Sequence, residues 1–300
     1  MEICSYGGWK NNLKLSNEFV ELFITLDVGP RIIRYAFLND LNVLKEFPEQ
    51  LGGQYEDIWT PRGGHRFWIS PEDDYSYDID NSPVTYQKIA ANHVIIRHQP
   101  DILNGWQKEI EVKLDLKTPR ATVKHRIRNI SDRELDKPIA AWALTIMAPG
   151  GRAIIPTPRP GPHTTYLLPN RNLILWPYTE IHDTRFSFGP ANFQIRQDDT
   201  RGPLKIGTLT RCKWIAYQNG NAVFAKSTPI ECGGQYPDMG SNIEVFTDTQ
   251  ILELETLGPL KKLQPGETLE HIEKWILFRH EEHIDTYQDV SSIIEPKLGV

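Results

Sequence analysis

Cysteine is scarce in this chain. Its three residues, Cys4, Cys212 and Cys232, are too few and too scattered among 300 positions for a disulfide framework or a zinc site. Reduced thiols in a cytoplasmic compartment are therefore expected. A basic run is missing as well. The formal net charge is -6 and the pI about 5.9, which argues against nucleic acid and against an acidic membrane surface as partners. No uninterrupted apolar run approaches the roughly 18 residues that would span a bilayer. The opening MEICSYGGWKNN carries an early acid and no apolar segment, so it does not read as a signal peptide. Phosphate-loop and GxSxG signatures are absent, no cysteine has the setting of a nucleophile, and nothing calls for a metal or other cofactor.

Helical periodicity is also in short supply. Only the tail, near 283–294, spaces its apolar residues at helical intervals. The rest reads as short strands. Segments 18–26 and 31–38 flank the turn Asp27-Val28-Gly29-Pro30, and 42–47 continues them. Segments 106–117 and 120–130 alternate apolar and charged residues and predict a hairpin with one solvated face, to which His125 is assigned. Asn219-Gly220 joins two further strands, since both residues tolerate positive φ. Segment 139–147 (IAAWALTIM) is more uniformly apolar and predicts a central, doubly covered strand. The expected fold class is all-β with little helix, a large antiparallel sandwich forming a single domain over 1–300. Three irregular stretches, 49–82, 149–170 and 230–241, are expected to gather at one site.

Aromatic residues are plentiful: eight tryptophans, eleven tyrosines and eleven phenylalanines. Most must fill the core, and a few can stack on a ligand. Stretch 49–82 holds Tyr55, Trp59, Phe67, Trp68, Tyr75 and Tyr77, and within it lies TPRGGHRFWISPEDD, Thr60 to Asp74. In an extended backbone His65, Phe67 and Ile69 point one way and Arg66, Trp68 and Ser70 the other. Arg66 and Trp68 can then line one pocket, with Arg62 and His65 offering further donors. The plainer alternative pairs Arg66 with Glu72 or Asp73 and puts Trp68 in a core gap.

A second candidate is Leu252-Glu253-Leu254-Glu255-Thr256-Leu257. The leucines share one face and Glu253 and Glu255 the other. If the leucine face is core, both carboxylates lie either in solvent, the ordinary outcome, or on the floor of a cleft. In a cleft, burial and neighbours tune a carboxylate into a general base. His163, held in a Pro/Gly loop, is a further acid–base candidate. His280-Glu281-Glu282-His283 is one residue short of a metalloprotease HExxH.

At these residues the chain resembles the galactose mutarotase-like superfamily, the large β-supersandwich of the aldose 1-epimerases. Val28-Gly29-Pro30-Arg31-Ile32-Ile33 followed by Asn42-Val43-Leu44 is similar to that family's opening strands. Gly63 to Glu72 is similar to its Gly/Pro-rich sugar-contacting segment. Leu252-Glu253-Leu254-Glu255-Thr256 and Leu263-Gln264-Pro265-Gly266-Glu267 resemble its LET motif and PGE turn. The resemblance implies interconversion of sugar anomers, in which an acid protonates the ring oxygen while a glutamate takes the proton of the anomeric hydroxyl. It places that base on Glu255, with Glu253 beside it. Arg66 or Arg62, Trp68, Glu72 and Trp142 fall among the implied sugar-binding residues. The chain departs from the family in mid-sequence, where Ala141-Trp142-Ala143-Leu144-Thr145 lacks the acid histidine. His65 or His163 is then the expected acid, in a divergent branch of the superfamily whose partner is a small sugar or sugar derivative. Two other readings stay open: a non-catalytic carbohydrate-binding or regulatory protein, and a lyase, isomerase or deglycosylation reaction in the same cleft.

Overall fold

The computed structural model of the chain describes residues 1–74, 76–77 and 79–299. Among them, two ten-stranded antiparallel sheets pack face to face around a shared apolar cluster. In spatial order the first sheet runs Glu2–Tyr6, Trp9–Ser16, Val20–Thr25, Arg31–Phe37, His65–Ser70, Ala140–Ile146, Leu252–Leu257, Ile243–Thr247, Leu204–Thr208 and Ile174–Leu175. The second runs Phe186–Phe188, Asn192–Arg196, Arg152–Pro156, Trp214–Asn219, Ala222–Ser227, Thr268–Arg279, Arg120–Asn129, Trp106–Leu114, His93–Arg97 and Thr85–Ala90. The chain is all-β with little helix, as its patterns predict. The helical tail covers Tyr287–Leu298 and buries Val290 and Ile294. No helix among the described residues is long and apolar enough to cross a membrane.

Several local expectations change. The first sheet begins earlier than the patterns indicate, with the hairpin Glu2–Tyr6/Trp9–Ser16. Segment 42–47 makes isolated bridges only, Leu44 with Met147 and Glu46 with Gly63. The middle of the supposedly irregular stretch 49–82 is a strand at the centre of the first sheet, His65–Ser70, paired to Ala140–Ile146. Gly63 and Gly64 admit it. Their φ values are +95° and +73°, and a Cβ on Gly64 would sit 2.3 Å from the Ile32 carbonyl oxygen. Only glycine fits so close a backbone approach at positive φ. Tyr75 lies outside the described residues.

The central strands present two different faces. One, carrying Phe67, Ile69, Ala141, Leu254 and Val245, packs into the space between the sheets. The other, carrying Arg66, Trp68, Trp142, Glu253 and Glu255, is turned away from the second sheet and forms the floor described below.

A buried polar network also lies between the sheets. His65 meets His125 Nε2 to Nε2 at 2.8 Å and Thr145 through Nδ1 at 2.9 Å. His125 Nδ1 faces the His271 carbonyl at 3.2 Å, and His271 Nε2 lies 2.7 Å from the Thr256 hydroxyl. Glu273 accepts from Thr256, Lys226 and Trp275. The bonding pattern assigns every proton with the three histidines neutral. Lys226 donates to Thr145, Thr145 to His65, His65 to His125, and His125 to the His271 carbonyl. His125 is therefore core and not solvated. It shares the parity of Ala121, Val123 and Ile127, the inward face of its strand.

Candidate functional site

The floor of the candidate site is a patch of the first sheet in which the central strands gather charged side chains on one face. Register sets Leu144 opposite both Arg66 and Glu255, and Glu255 opposite Glu244. Above the floor is a cavity of about 550 Å³. Its lining beyond the floor includes Trp59, Glu72, Tyr77, Trp176, Tyr178 and Asp248.

Two ion-pair groups organise the floor. Arg66 Nη1 donates to Glu253 Oε1 at 2.6 Å, and its guanidinium lies 4.3 Å from the Trp68 ring centre and 5.2 Å from that of Trp59. Lys205 bridges two carboxylates, with Nζ 2.9 Å from Glu244 Oε2 and 3.0 Å from Glu255 Oε2. It also lies 4.5 Å from the Trp142 ring centre and 4.8 Å from that of Trp176. Trp142 Nε1 donates to Glu255 Oε2 at 2.6 Å. The protein's own cations thus occupy aromatic faces that the sequence offers as stacking platforms, each contact worth about 0.5–2 kcal/mol.

The electrostatics follow from burial. Burial pushes the Glu253 carboxyl above the ordinary carboxylate range; Arg66 opposes the rise and Glu255 adds to it. Burial likewise carries Glu244 well above that range against the pull of Lys205. For Lys205, burial opposes the charge, but Glu255 and Glu244 outweigh it and hold the ammonium above its usual range. Burial pushes the Tyr178 phenol up to about 12.

Four buried polar atoms on cavity-lining residues have no hydrogen-bond partner among the described residues: Trp59 Nε1, Arg66 Nε, Trp68 Nε1 and Glu255 Oε1. Buried donors and acceptors are almost always paired, so such a cluster marks a place where a ligand or water supplies the partners.

The structure brings Arg66, Trp68, Glu72, Trp142, Glu253 and Glu255 to this one cavity. It does not bring the others. Arg62 is fully buried outside the lining, where it donates to the Thr60 carbonyl and pairs with Glu56, so it braces the loop. His65 points to the opposite face of its strand, into the network between the sheets, because strand alternation holds through 65–70. His163 is exposed on the 157–173 segment and is not part of the lining. Of the three irregular stretches only 49–82 reaches the cavity; 149–170 and 230–241 contribute no lining residue. Lys205, Trp176, Tyr178 and Glu244 were not foreseen. A signal for Lys205 was present: a lysine inside the apolar strand Leu204–Thr208 must find a buried carboxylate.

The His65, His125 and Glu273 ligand atoms lie within 4.8 Å of one another. Lys226 already neutralises Glu273, and the two facing histidine nitrogens share one proton, so these residues are fully partnered without a cation.

Comparison with solved structures bears on the fold. A protein from Synechocystis sp. PCC 6803, Slr1438, superposes with a TM-score of 0.62 at 12% identity, covering 93% of this chain and 100% of that one. A galactose mutarotase-like protein from Lactobacillus casei ATCC 334 gives a TM-score of 0.57 at 9% identity, covering 89% and 100%. Another galactose mutarotase-like protein, from Clostridium acetobutylicum, gives 0.52 at 10% identity, covering 90% and 95%. The chain has the galactose mutarotase-like fold. No protein-family model and no curated protein matches the sequence. At such identities the galactose mutarotase-like likeness is one of fold, and the chemistry of the cavity has to be argued from its own residues.

Proposed function

We propose that the cavity is a sugar site and that the protein transfers protons at or near the anomeric centre of a small sugar. One observation carries this reading: three unpartnered donors (Trp59 Nε1, Arg66 Nε, Trp68 Nε1) and one unpartnered acceptor (Glu255 Oε1) belong to residues that line one aromatic-rich cavity. A polyhydroxylated ring satisfies donors and acceptors at once and offers apolar faces to tryptophan. Glu255 is the base, since Trp142 and Lys205 fix its Oε2 and leave Oε1 open for a hydroxyl proton. Glu253 is the proposed acid: it lines the same cavity as Glu255, and burial raises its carboxyl above the ordinary carboxylate range against the pull of Arg66. Neither His65 nor His163 supports that role.

A second reading, a non-catalytic carbohydrate-binding protein, is favoured by one specific observation: no histidine lies among the described residues that line the cavity. Saturation-transfer NMR on equilibrated hexoses separates the two. An enzyme speeds anomer exchange and loses on the order of 10²–10⁴ of that rate in Glu255→Gln. Binding without faster exchange removes the catalytic reading, and absence of binding removes the sugar site altogether.

A further inference from the structure

We propose that the site selects sugars bearing a protonated amine over their neutral counterparts and selects against phosphorylated or carboxylated ones. The inference rests on the sugar-site reading and adds the charge of the substrate to it.

The charge balance of the lining is its first support. Even with Glu253 counted as the neutral acid, Glu72, Asp248 and Glu255 face the cavity against Arg66 and Lys205, three carboxylates to two cations among the described residues.

The second support is that both cations are already paired with carboxylates of the floor. The Nη1 of Arg66 is taken by Glu253, and the guanidinium lies against two tryptophan rings. Lys205 is 4% exposed, lies between Glu244 and Glu255, and sits against two more rings. An incoming phosphate would have to break a buried pair and leave a carboxylate uncompensated, the costliest rearrangement such a floor can make.

The third support is what remains open. With Glu255 Oε1 committed to the anomeric hydroxyl, the carboxylates left for an amine are those of the walls, Glu72 and Asp248. Asp248 lines the cavity; its Oδ1 caps the turn by accepting from the Gln250 and Ile251 amides, and its Oδ2 has no partner among the described residues. Tyr178 stands at the same cavity with its phenol held protonated, so it adds no competing charge.

The test is calorimetric titration of the full chain, at low ionic strength and at a pH where the amine is protonated, with three related hexoses. These are 2-amino-2-deoxyglucose, glucose and glucose 6-phosphate. The expected result is at least tenfold tighter binding of the amine than of glucose, with the phosphate weakest and the advantage shrinking as salt is added. Asp248→Asn keeps the turn-capping oxygen, and the amine-to-glucose ratio should fall in it. An amine that binds no better than glucose, a phosphate that binds as well as glucose, or a ratio unmoved by both salt and Asp248→Asn overturns the charge inference while leaving a sugar site. If none of the three binds, the sugar reading fails and this inference with it.

Discussion

Glu255 and Thr256 are neighbours in sequence that belong to opposite sides of one sheet. Glu255 faces the cavity, 3.0 Å from Lys205, while the Thr256 hydroxyl is 2.7 Å from His271 and 2.6 Å from Glu273 in the space between the sheets. A strand with period 2 is the cheapest way to attach a reactive floor to a rigid back. The arrangement makes the two positions separable by experiment.

Replacing Thr256 by valine keeps the shape and removes the hydroxyl that joins His271 to Glu273. Two buried polar groups then each lose a partner, and destabilisation of about 1–3 kcal/mol follows. Urea denaturation measures it. Glu255→Gln, by contrast, keeps an acceptor for Trp142 and should shift the urea midpoint less than Thr256→Val while abolishing anomer exchange. Equal stability of Thr256→Val and the parent would mean that the back network carries no load.

Acid should weaken the fold through the same network. Burial holds His125 down to about 4 and His271 down to about 3, and it carries His65 well below its ordinary value. In the unfolded chain each titrates near ~6.5. Between those values the unfolded state binds more protons, so stability rises with pH across that window and is lost as pH falls from about 6.5 toward 4. Glu273 acts in the same direction: Lys226, against the effect of burial, holds it far below the ordinary carboxylate range. The urea midpoint should therefore drop steeply on acidification through that window. Burial raises Glu244 and Glu253, which pull the other way, so a pH dependence unchanged between the parent and His125→Gln would refute the neutral-histidine assignment.

Gly64 offers a backbone test. Its φ is +73°, and an added Cβ would lie 2.3 Å from the Ile32 carbonyl oxygen. Gly64→Ala must strain or shift the entrance to the central strand His65–Ser70, at a cost of at least about 1–3 kcal/mol. Thermal unfolding reads this directly, and a melting temperature within a degree of the parent would show that the strand tolerates a different approach. Gly220, at φ +55° with open space around it, is the matched control for conformation without crowding.

Much of this was legible in residue patterns, and the failures have physical causes. Alternation in 252–257 put both glutamates on one face, and alternation in 65–70 separated His65 from Arg66 and Trp68. Those are local rules, and they held. The stretch Thr60 to Asp74 read as a loop because glycines, charges and proline dilute its apolar signal; its strand is buried on both faces, so polar residues there are paired and not solvated. His125 was misplaced by the charges around it, although its parity matched Ala121 and Val123. Lys205 was out of reach for a different reason. Its partners Glu244 and Glu255 lie about 40 and 50 positions further along the chain, and only sheet order brings three strands' side chains to one point.

Lys205 supplies the sharpest test of the floor. It lies within 3.0 Å of both Glu244 and Glu255 and is 4% exposed. Lys205→Met keeps the length and apolar stem and removes the charge. Two carboxylates then share a buried region with no cation between them, and breaking such a group costs about 3–5 kcal/mol. The remedy follows from the same geometry. Adding Glu244→Gln to Lys205→Met removes one of the two stranded charges and leaves Glu255 with its Trp142 donor, so the double variant should recover at least half of the lost stability. Denaturant titration of the parent, both single variants and the double variant yields the coupling between positions 205 and 244. A strongly favourable coupling supports the bridged floor; additive effects, or a Lys205→Met variant as stable as the parent, would show that Lys205 does not bind these carboxylates in solution.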